Sequence, residues 1–260
     1  MYKSLSFSGY AFARDYDEVS STMDVARESI PSLNGGHGVV ASVRQTAGRG
    51  RQGRAWSSPE GALMVTFLFS TPMPVHAFGG YSLAVGVALT RAFARYGAAV
   101  QLKWPNDLVS VRDDRIQKIG GILIEVQDVG ATRVLLVGIG INLTSAPDEV
   151  EGAAALESVC AENVPLREEA LAYIAGALSE SHATFEQGGF AKFRAHWEQA
   201  SAYEKGRTEL IVEIGERTVS GIYDGVNDSG ALLLMVDGRR EVVHSGHTVS
   251  ARSLRDGAVL

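Results

Sequence analysis

The chain has 260 residues, room for one large domain or for one large and one small domain. Its 24 Lys and Arg are outnumbered by 30 Asp and Glu, and the net charge of −6 argues against a general nucleic-acid binder. Cys160 is the single cysteine, so no intrachain disulfide can form. That fits a reducing compartment, and the first eighteen residues show no signal-peptide layout, so a cytoplasmic location is expected.

Residues 24–29 read as a short helix, with Ser20, Ser21 or Thr22 as its N-cap. Residues 38–43 and 63–69 are β-rich runs. Between them lies RQTAGRGRQGR, residues 44–54, with four arginines (Arg44, Arg49, Arg51, Arg54) and three glycines (Gly48, Gly50, Gly53). Guanidinium groups are planar, permanently charged donors suited to phosphate and carboxylate oxygens. Glycines let the backbone come close to a ligand. This loop therefore reads as one that closes on an anion, phosphate first. Its like charges predict no single conformation for residues 46–54 without a ligand. The same letters satisfy G-x-G-x-x-G, but a dinucleotide-binding turn must open a helix at once. The following WSSPEG, residues 56–61, breaks any helix there.

Residues 61–90 carry no Asp, Glu, Lys or Arg. Pro72, Pro74 and Gly79-Gly80 divide the run, and neither half reaches the roughly 20 continuous apolar residues of a membrane span. A buried strand at 62–69 and a core helix at 81–96 fit better. Residues 100–103 form a short strand stopped by Pro105. Residues 118–126 and 134–143 are apolar strands joined across a polar hairpin at 127–133. Residues 166–185 and 190–200 are helical by spacing. From Thr208 the pattern changes to short strands and turns: TELIVEI, RTVSGIYDGV, GALLLMVD, REVVHSG, with a hairpin signal at Asn227-Asp228-Ser229-Gly230. A boundary near Gly206 divides an α/β domain, residues 1–205, from an all-β module, residues 206–260. A module of about 50 residues is too small to bury much core alone and should dock on the larger domain.

Four further segments can carry chemistry. Ser21-Thr22 precedes the first helix. Lys103-Trp104-Pro105-Asn106-Asp107 follows a strand. Lys118-Ile119-Gly120-Gly121 opens one, and Gly138-Ile139-Gly140-Ile141-Asn142 ends another. Singly they read as a cap, a turn, a snorkelling lysine and close backbone packing. Together with the arginine loop they make a set suited to a nucleoside triphosphate. No Gly-Lys dipeptide exists, so a P-loop is excluded. His244 and His247 are three apart with Cys160 far upstream, which makes no zinc set, and no metal site is expected in the protein itself.

GRGRQGRAW, KWPNDL, KIGGILIE and GIGINL, in this order, resemble the biotin–protein ligases, biotin–[acetyl-CoA-carboxylase] ligases. The similarity runs from about Ser20 to the C-terminal GIYDGVNDSGALLL. The chain begins almost directly at the catalytic domain and so resembles the group without an N-terminal DNA-binding domain. The resemblance implies a catalytic domain with a central mixed sheet, as in biotin and lipoate ligases, plus a small SH3-like barrel. It implies that biotin and MgATP give biotinyl-5′-AMP, and that a lysine of a biotin carboxyl carrier domain then takes the biotin. It implies no DNA or membrane partner, and a monomer or homodimer.

By this resemblance Lys118 matches a lysine that contacts the biotin carboxylate and the α-phosphate, and Arg49 and Arg51 match the loop that folds over biotin and phosphates. Trp56 matches an aromatic packed on adenine. Arg54, Lys103, Asn106, Asp107 and Asn142 would sit at the phosphates, and Arg252 would reach the nucleotide from the C-terminal module. Ser21, Thr22 and Gln45 match side chains on the ureido ring, with Gly48 and Thr66 beside them. Gly120, Gly121 and Gly138 match backbone lining the pocket. Met23 and Met64 depart from the polar residues of many relatives, and Thr66 keeps a hydroxyl. A lipoate–protein ligase and a non-catalytic biotin-binding regulator are the alternatives. Gln45 and the intact arginine loop favour biotin, while Lys118 and Arg51 favour an enzyme.

Overall fold

A computed structural model describes residues 1–112, 115–161, 163–254 and 259. The elements run β1 (Tyr2–Leu5), β2 (Phe12–Val19), α1 (Thr22–Ser29), β3 (His37–Gln45), β4 (Ala62–Thr71) and α2 (Tyr81–Ala94). They continue with β5 (Gln101–Lys103), β6 (Asp107–Arg112), β7 (Arg115–Val129), β8 (Thr132–Asn142), α3 (Arg167–Gly188) and α4 (Arg194–Ala200). The C-terminal strands are β9 (Thr208–Ile214), β10 (Arg217–Val226), β11 (Leu232–Val236), β12 (Arg239–Val243) and β13 (His247–Ser253). Among the described residues the strands form two sheets. The first has eight strands in the order β1-β2-β3-β4-β8-β7-β6-β5. It is mixed, because β2 runs parallel to β3 while the other pairs are antiparallel.

Alternation along the central strands sets the layers. Leu63, Val65, Phe67 and Phe69 of β4 point into a large core, as do Leu135, Val137, Ile139 and Ile141 of β8. That core is closed by α2 and α3 through residues such as Leu89, Phe93, Ile174 and Phe185. The intervening Leu68, Val134 and Leu136 face the other way, onto Met23 and Ala26 of α1. Strands buried on both faces must be apolar throughout, which is why β4 reads as an uncharged run.

The second sheet is antiparallel in the order β12-β11-β10-β9-β13, as expected of an SH3-like module. Its Leu210, Val212, Leu232 and Leu234 belong to the same core cluster as the large domain. The junction is fastened at Trp104. The indole Nε1 donates to the Gly230 carbonyl at 3.0 Å, and Thr248 Oγ1 donates to the Trp104 carbonyl at 3.2 Å. Gly230 has φ +75°, and a Cβ there would lie 2.4 Å from Gly80 Cα, so only glycine fits.

Differences from the sequence reading fall where burial is shallow or a turn dominates. β1 is an edge strand and β2 its neighbour, both with mostly exposed or half-buried residues, so they carry no clean apolar alternation. β6 begins inside KWPNDL, which reads as a turn. β13 holds SARS within its seven residues. The helix expected at 190–200 is α-helical only over Arg194–Ala200, after a 3-10 turn at Gly189–Lys192. No helix among the described residues is long and apolar enough to cross a membrane.

The large core also encloses a titratable group. His182 of α3 is 3% exposed, its ring stacked on Phe69 at 4.5 Å and its Nδ1 2.9 Å from the Tyr81 hydroxyl. Burial pushes its pKa down from 6.5 to about 4, against the opposing pull of the Glu186 carboxylate. The unfolded chain therefore takes up this proton first as pH falls, and stability should decline between pH 6.5 and 4. The loss is on the order of 1–3 kcal/mol. Thermal melts across this range should show a shallower acid slope for His182→Gln than for the wild type. Equal slopes would place the acid sensitivity elsewhere.

Candidate active site

A cavity of about 150 Å³ opens on the α1 face of the first sheet. Its floor is the middle of β4, β7 and β8, where side-chain volume is withheld. A Cβ on Gly138 would lie 2.8 Å from Met23 Sδ, and one on Gly140 would lie 2.4 Å from the Trp56 indole. At Gly120 a Cβ would meet the Gly140 carbonyl at 2.7 Å, so this glycine lets β7 and β8 come together rather than lining the cavity. Gly121 does line it.

One end of the cavity is polar and neutral. Ser21 caps α1, its Oγ accepting from the Met23 amide at 3.3 Å. Gln45 Oε1 accepts from the Thr22 amide at 2.7 Å and from the Thr22 hydroxyl at 3.0 Å. The Thr66 hydroxyl donates to Thr22 Oγ1 at 2.9 Å from outside the lining, so it supports Thr22 instead of facing the cavity. Gly48 lies behind Gln45, where a Cβ would be 2.8 Å from Gln45 Nε2. Met23 and Met64 complete this end with apolar thioethers.

The arginine–glycine loop folds over the cavity as a small flap. The Gly50 amide donates to the Arg54 carbonyl at 2.7 Å and the Trp56 amide to the Gly48 carbonyl at 2.9 Å. Its tip is a 3-10 turn at Arg51–Gly53, with Gln52 at φ +57°. The repulsion expected among the arginines is answered by a partner for each. Arg44 pairs with Glu18 at 3.1 Å. Arg49 makes two bonds to Asp24, at 2.9 and 2.5 Å. Arg51 donates to Asn106 Oδ1 at 3.1 Å and to the Gly246 carbonyl at 3.3 Å. Arg54 lies 3.2 Å from His247 Nε2.

The other end is cationic. Lys118 Nζ sits 2.6 Å from Asp107 Oδ1 and 5.7 Å from the Trp56 ring centre. The Trp56 Nε1 is buried and finds no hydrogen-bond acceptor among the described residues. Asn106 donates to the Ile122 carbonyl at 2.8 Å, which fixes its oxygen toward Arg51. Burial lowers the pKa of Arg51 and of Lys103, in both cases against the pull of Asp107. Burial and then Arg54 depress His247, so its imidazole is neutral and can accept from Arg54. Asp107 is the single carboxylate among the described residues lining the cavity.

The structure thus brings Ser21, Thr22, Gln45, Arg49, Arg51, Arg54, Trp56, Asn106, Asp107, Lys118, Gly121 and Gly138 together around one cavity. It does not bring Gly48, Thr66, Lys103, Gly120, Asn142 or Arg252 into the lining. Lys103 pairs with Asp107 across β5 and β6, one step behind the wall. Asn142 is 3% exposed and donates to the Ala154 carbonyl at 3.2 Å, which anchors the chain after β8. Arg252 pairs with Glu209 at 3.6 Å. His247, earlier on the same strand, is the residue by which the C-terminal sheet reaches the cavity. Gly140, Gln52 and His247 are lining residues that the sequence reading did not place there.

Residues 17–142 match the Biotin/lipoate A/B protein ligase family. The chain is 33% identical over 232 residues to the bifunctional ligase/repressor BirA of Escherichia coli, covering 85% of this chain and 68% of that protein. It is 32% identical over 242 residues to the biotin–[acetyl-CoA-carboxylase] ligase of Paracoccus denitrificans, covering 86% and 94%. Its structure is similar to that of the Aquifex aeolicus biotin protein ligase in complex with biotin and ATP, with a TM-score of 0.76 at 28% identity over 93% of this chain and 98% of that one. These likenesses make it an enzyme of the ligase class. The chain belongs to the biotin/lipoate protein ligase family.

The seat of Trp56 gives a test independent of substrate. Trp104 and Trp197 are 2% and 1% exposed, so a change in tryptophan accessibility reports on Trp56. Gly140→Ala should displace the indole, raise acrylamide quenching and cost roughly 1–3 kcal/mol of stability. Unchanged quenching in a folded variant would show that Trp56 does not depend on the missing Cβ.

Proposed function

We propose that the chain is an ATP-dependent biotin–protein ligase, forming biotinyl-5′-AMP and then transferring biotin to a lysine of a biotin carboxyl carrier domain. The observation that carries this reading is the polarity of this cavity, neutral donors and acceptors at Thr22 and Gln45, cations at Lys118, Arg51 and Arg54. A ureido ring is neutral and needs paired hydrogen bonds, because each one lost costs roughly 1–3 kcal/mol. A valerate carboxylate and a polyphosphate need the cationic end. The first relatives bear ligase names of this kind, which supports carrying the activity over.

In the first step a biotin carboxylate oxygen bonds to the α-phosphorus and the bond to the bridging oxygen of pyrophosphate breaks. Negative charge builds at the α-phosphate between Lys118 and the flap. Lys118 is held in place by Asp107, so its ammonium meets that charge without moving far. Arg51 and Arg54 then face the departing pyrophosphate, and the Trp56 face offers an apolar surface to adenine. In the second step the carrier lysine, as a neutral amine, bonds to the acyl carbon and AMP leaves. The flap excludes water from the mixed anhydride between the two steps. Magnesium would arrive on the phosphates. Asp107 would help hold it, since the described residues contain no cluster of three or more acidic, His or Cys side chains that would hold it alone.

Incubation with ATP and either biotin or lipoate, followed by mass detection of the acyl-adenylate, tests the reading directly. Biotinyl-AMP is expected, and lipoyl-AMP alone would overturn the choice of substrate. Lys118→Ala should slow adenylate formation by roughly 100- to 1000-fold. Its melting temperature should stay close to wild type, since the Lys118 side chain is 40% exposed. Near-native adenylation by the folded variant would remove Lys118 from the role.

A further inference from the structure

The arginines of the flap differ in the charge of their partners. Arg51 and Arg54 rest on neutral acceptors: an amide oxygen, a backbone carbonyl and an imidazole nitrogen. Arg49 rests on a carboxylate, with both arms of its fork engaged by both oxygens of Asp24. An incoming phosphate easily replaces a neutral acceptor, because it adds the attraction of opposite charges to the hydrogen bond. It does not easily replace a carboxylate already bound at two points.

Position agrees with partner. Arg49 lies at the base of the flap, where it bridges to Ala55, and Arg51 opens the tip. Asp24 is in the first turn of α1, directly after Ser21, Thr22 and Met23, which line the neutral end of the cavity. The carboxylate is itself held, because Arg27 donates to Asp24 Oδ1 at 2.9 Å and to Glu125 Oε2 of β7 at 2.5 Å. We propose that Asp24 and Arg49 form the latch that holds the flap to α1, and that Arg49 is a positioning residue whose guanidinium does not contact substrate. The idea deepens the ligase reading and rests on it only for what the flap retains.

Exposure suits a latch that must open. The Arg49 and Asp24 side chains are 39% and 29% exposed, a range in which an ion pair is weak and reversible. Losing it should shift the flap equilibrium by roughly three- to ten-fold.

The test is a cycle of Asp24→Ala, Arg49→Ala and the double variant, with Asp24→Asn as the shape-preserving check should Asp24→Ala fold poorly. The first readout needs no activity: trypsin cleavage after Arg51 and Arg54 in the ligand-free protein. Both single variants should be cut roughly three- to ten-fold faster, and the double variant no faster than either. The second readout is release of biotinyl-AMP, seen as labelling of bystander lysines, which should rise by a similar factor in Asp24→Ala, whose site lies outside the cavity lining. Unchanged cleavage in the single variants overturns the latch. Adenylation lost in Arg49→Ala but kept in Asp24→Ala shows that Arg49 meets the substrate directly, and overturns the positioning role. If the wild type makes no biotinyl-AMP at all, the ligase reading fails, while the cleavage result still decides the latch.

Discussion

Side-chain volume is withheld from the middle of one sheet face, and the pocket follows from that single constraint. β8 sends Leu135, Val137, Ile139 and Ile141 into the large core, so its alternate positions must face α1. Near the carboxyl end those positions are Gly138 and Gly140, and nothing projects from them. Met23 settles over the first and Trp56 over the second, at distances a Cβ would forbid. Toward the amino end the same face carries Val134 and Leu136, which pack under α1 in the ordinary way. One strand thus supplies a hydrophobic anchor for the helix and, four residues later, the open floor beside it. The helix start is thereby fixed over the cavity, which places Ser21 and Thr22 at its edge. The flap gains a surface to close on.

Much of this was legible in the sequence, for reasons that can be traced to particular residues. The uncharged run at 62–69 and the apolar run at 134–143 are strands buried on both faces, where periodicity is irrelevant and composition is loud, while the run at 118–126 is half-buried over most of its length. The arginine loop stood out because so much positive charge between two β-runs serves no folding need. Lys118 and Asp107 were visible as charged residues at strand ends within apolar surroundings. β1 was silent because an edge strand does not need a buried face, and β2 beside it is half-buried or exposed along most of its length. KWPNDL read as a turn because proline dominates the local signal, although Asp107 already belongs to β6.

His247 shows the limit most clearly. In the sequence it is one of two histidines three apart, near the end of a small module, with nothing to tie it to residue 54. Only the docking of the second sheet, through Trp104 on Gly230 and Thr248 on Trp104, brings it to Arg54. Arg252 had the stronger motif and lies farther away. A register shift between Thr248 and Ser250 leaves His247 opposite Glu213 and Arg252 opposite Glu209. At about 3.3 Å per residue, four residues of β9 separate them by roughly 13 Å. The bulge keeps both on one face, and the distance decides which one borders the cavity.

The cationic end completes the physical picture. Lys118, Arg51 and Arg54 border one cavity with Asp107 as their single lining carboxylate, and Lys103 stands just behind it. Burial already disfavours the charged forms of Lys103 and Arg51, and His247 is left neutral beside Arg54. Such an arrangement does not favour stability, since like charges are gathered around one cavity. It is well suited to an anion, because a carboxylate and a polyphosphate supply the missing negative charge all at once. The acidic surface elsewhere does not compete, as surface charges beyond about 8–10 Å are screened at physiological salt. The cations that would repel one another are the ones that attract the anion, and the fold tolerates their gathering because each flap arginine has a partner and the large core and docked second sheet hold the walls in place.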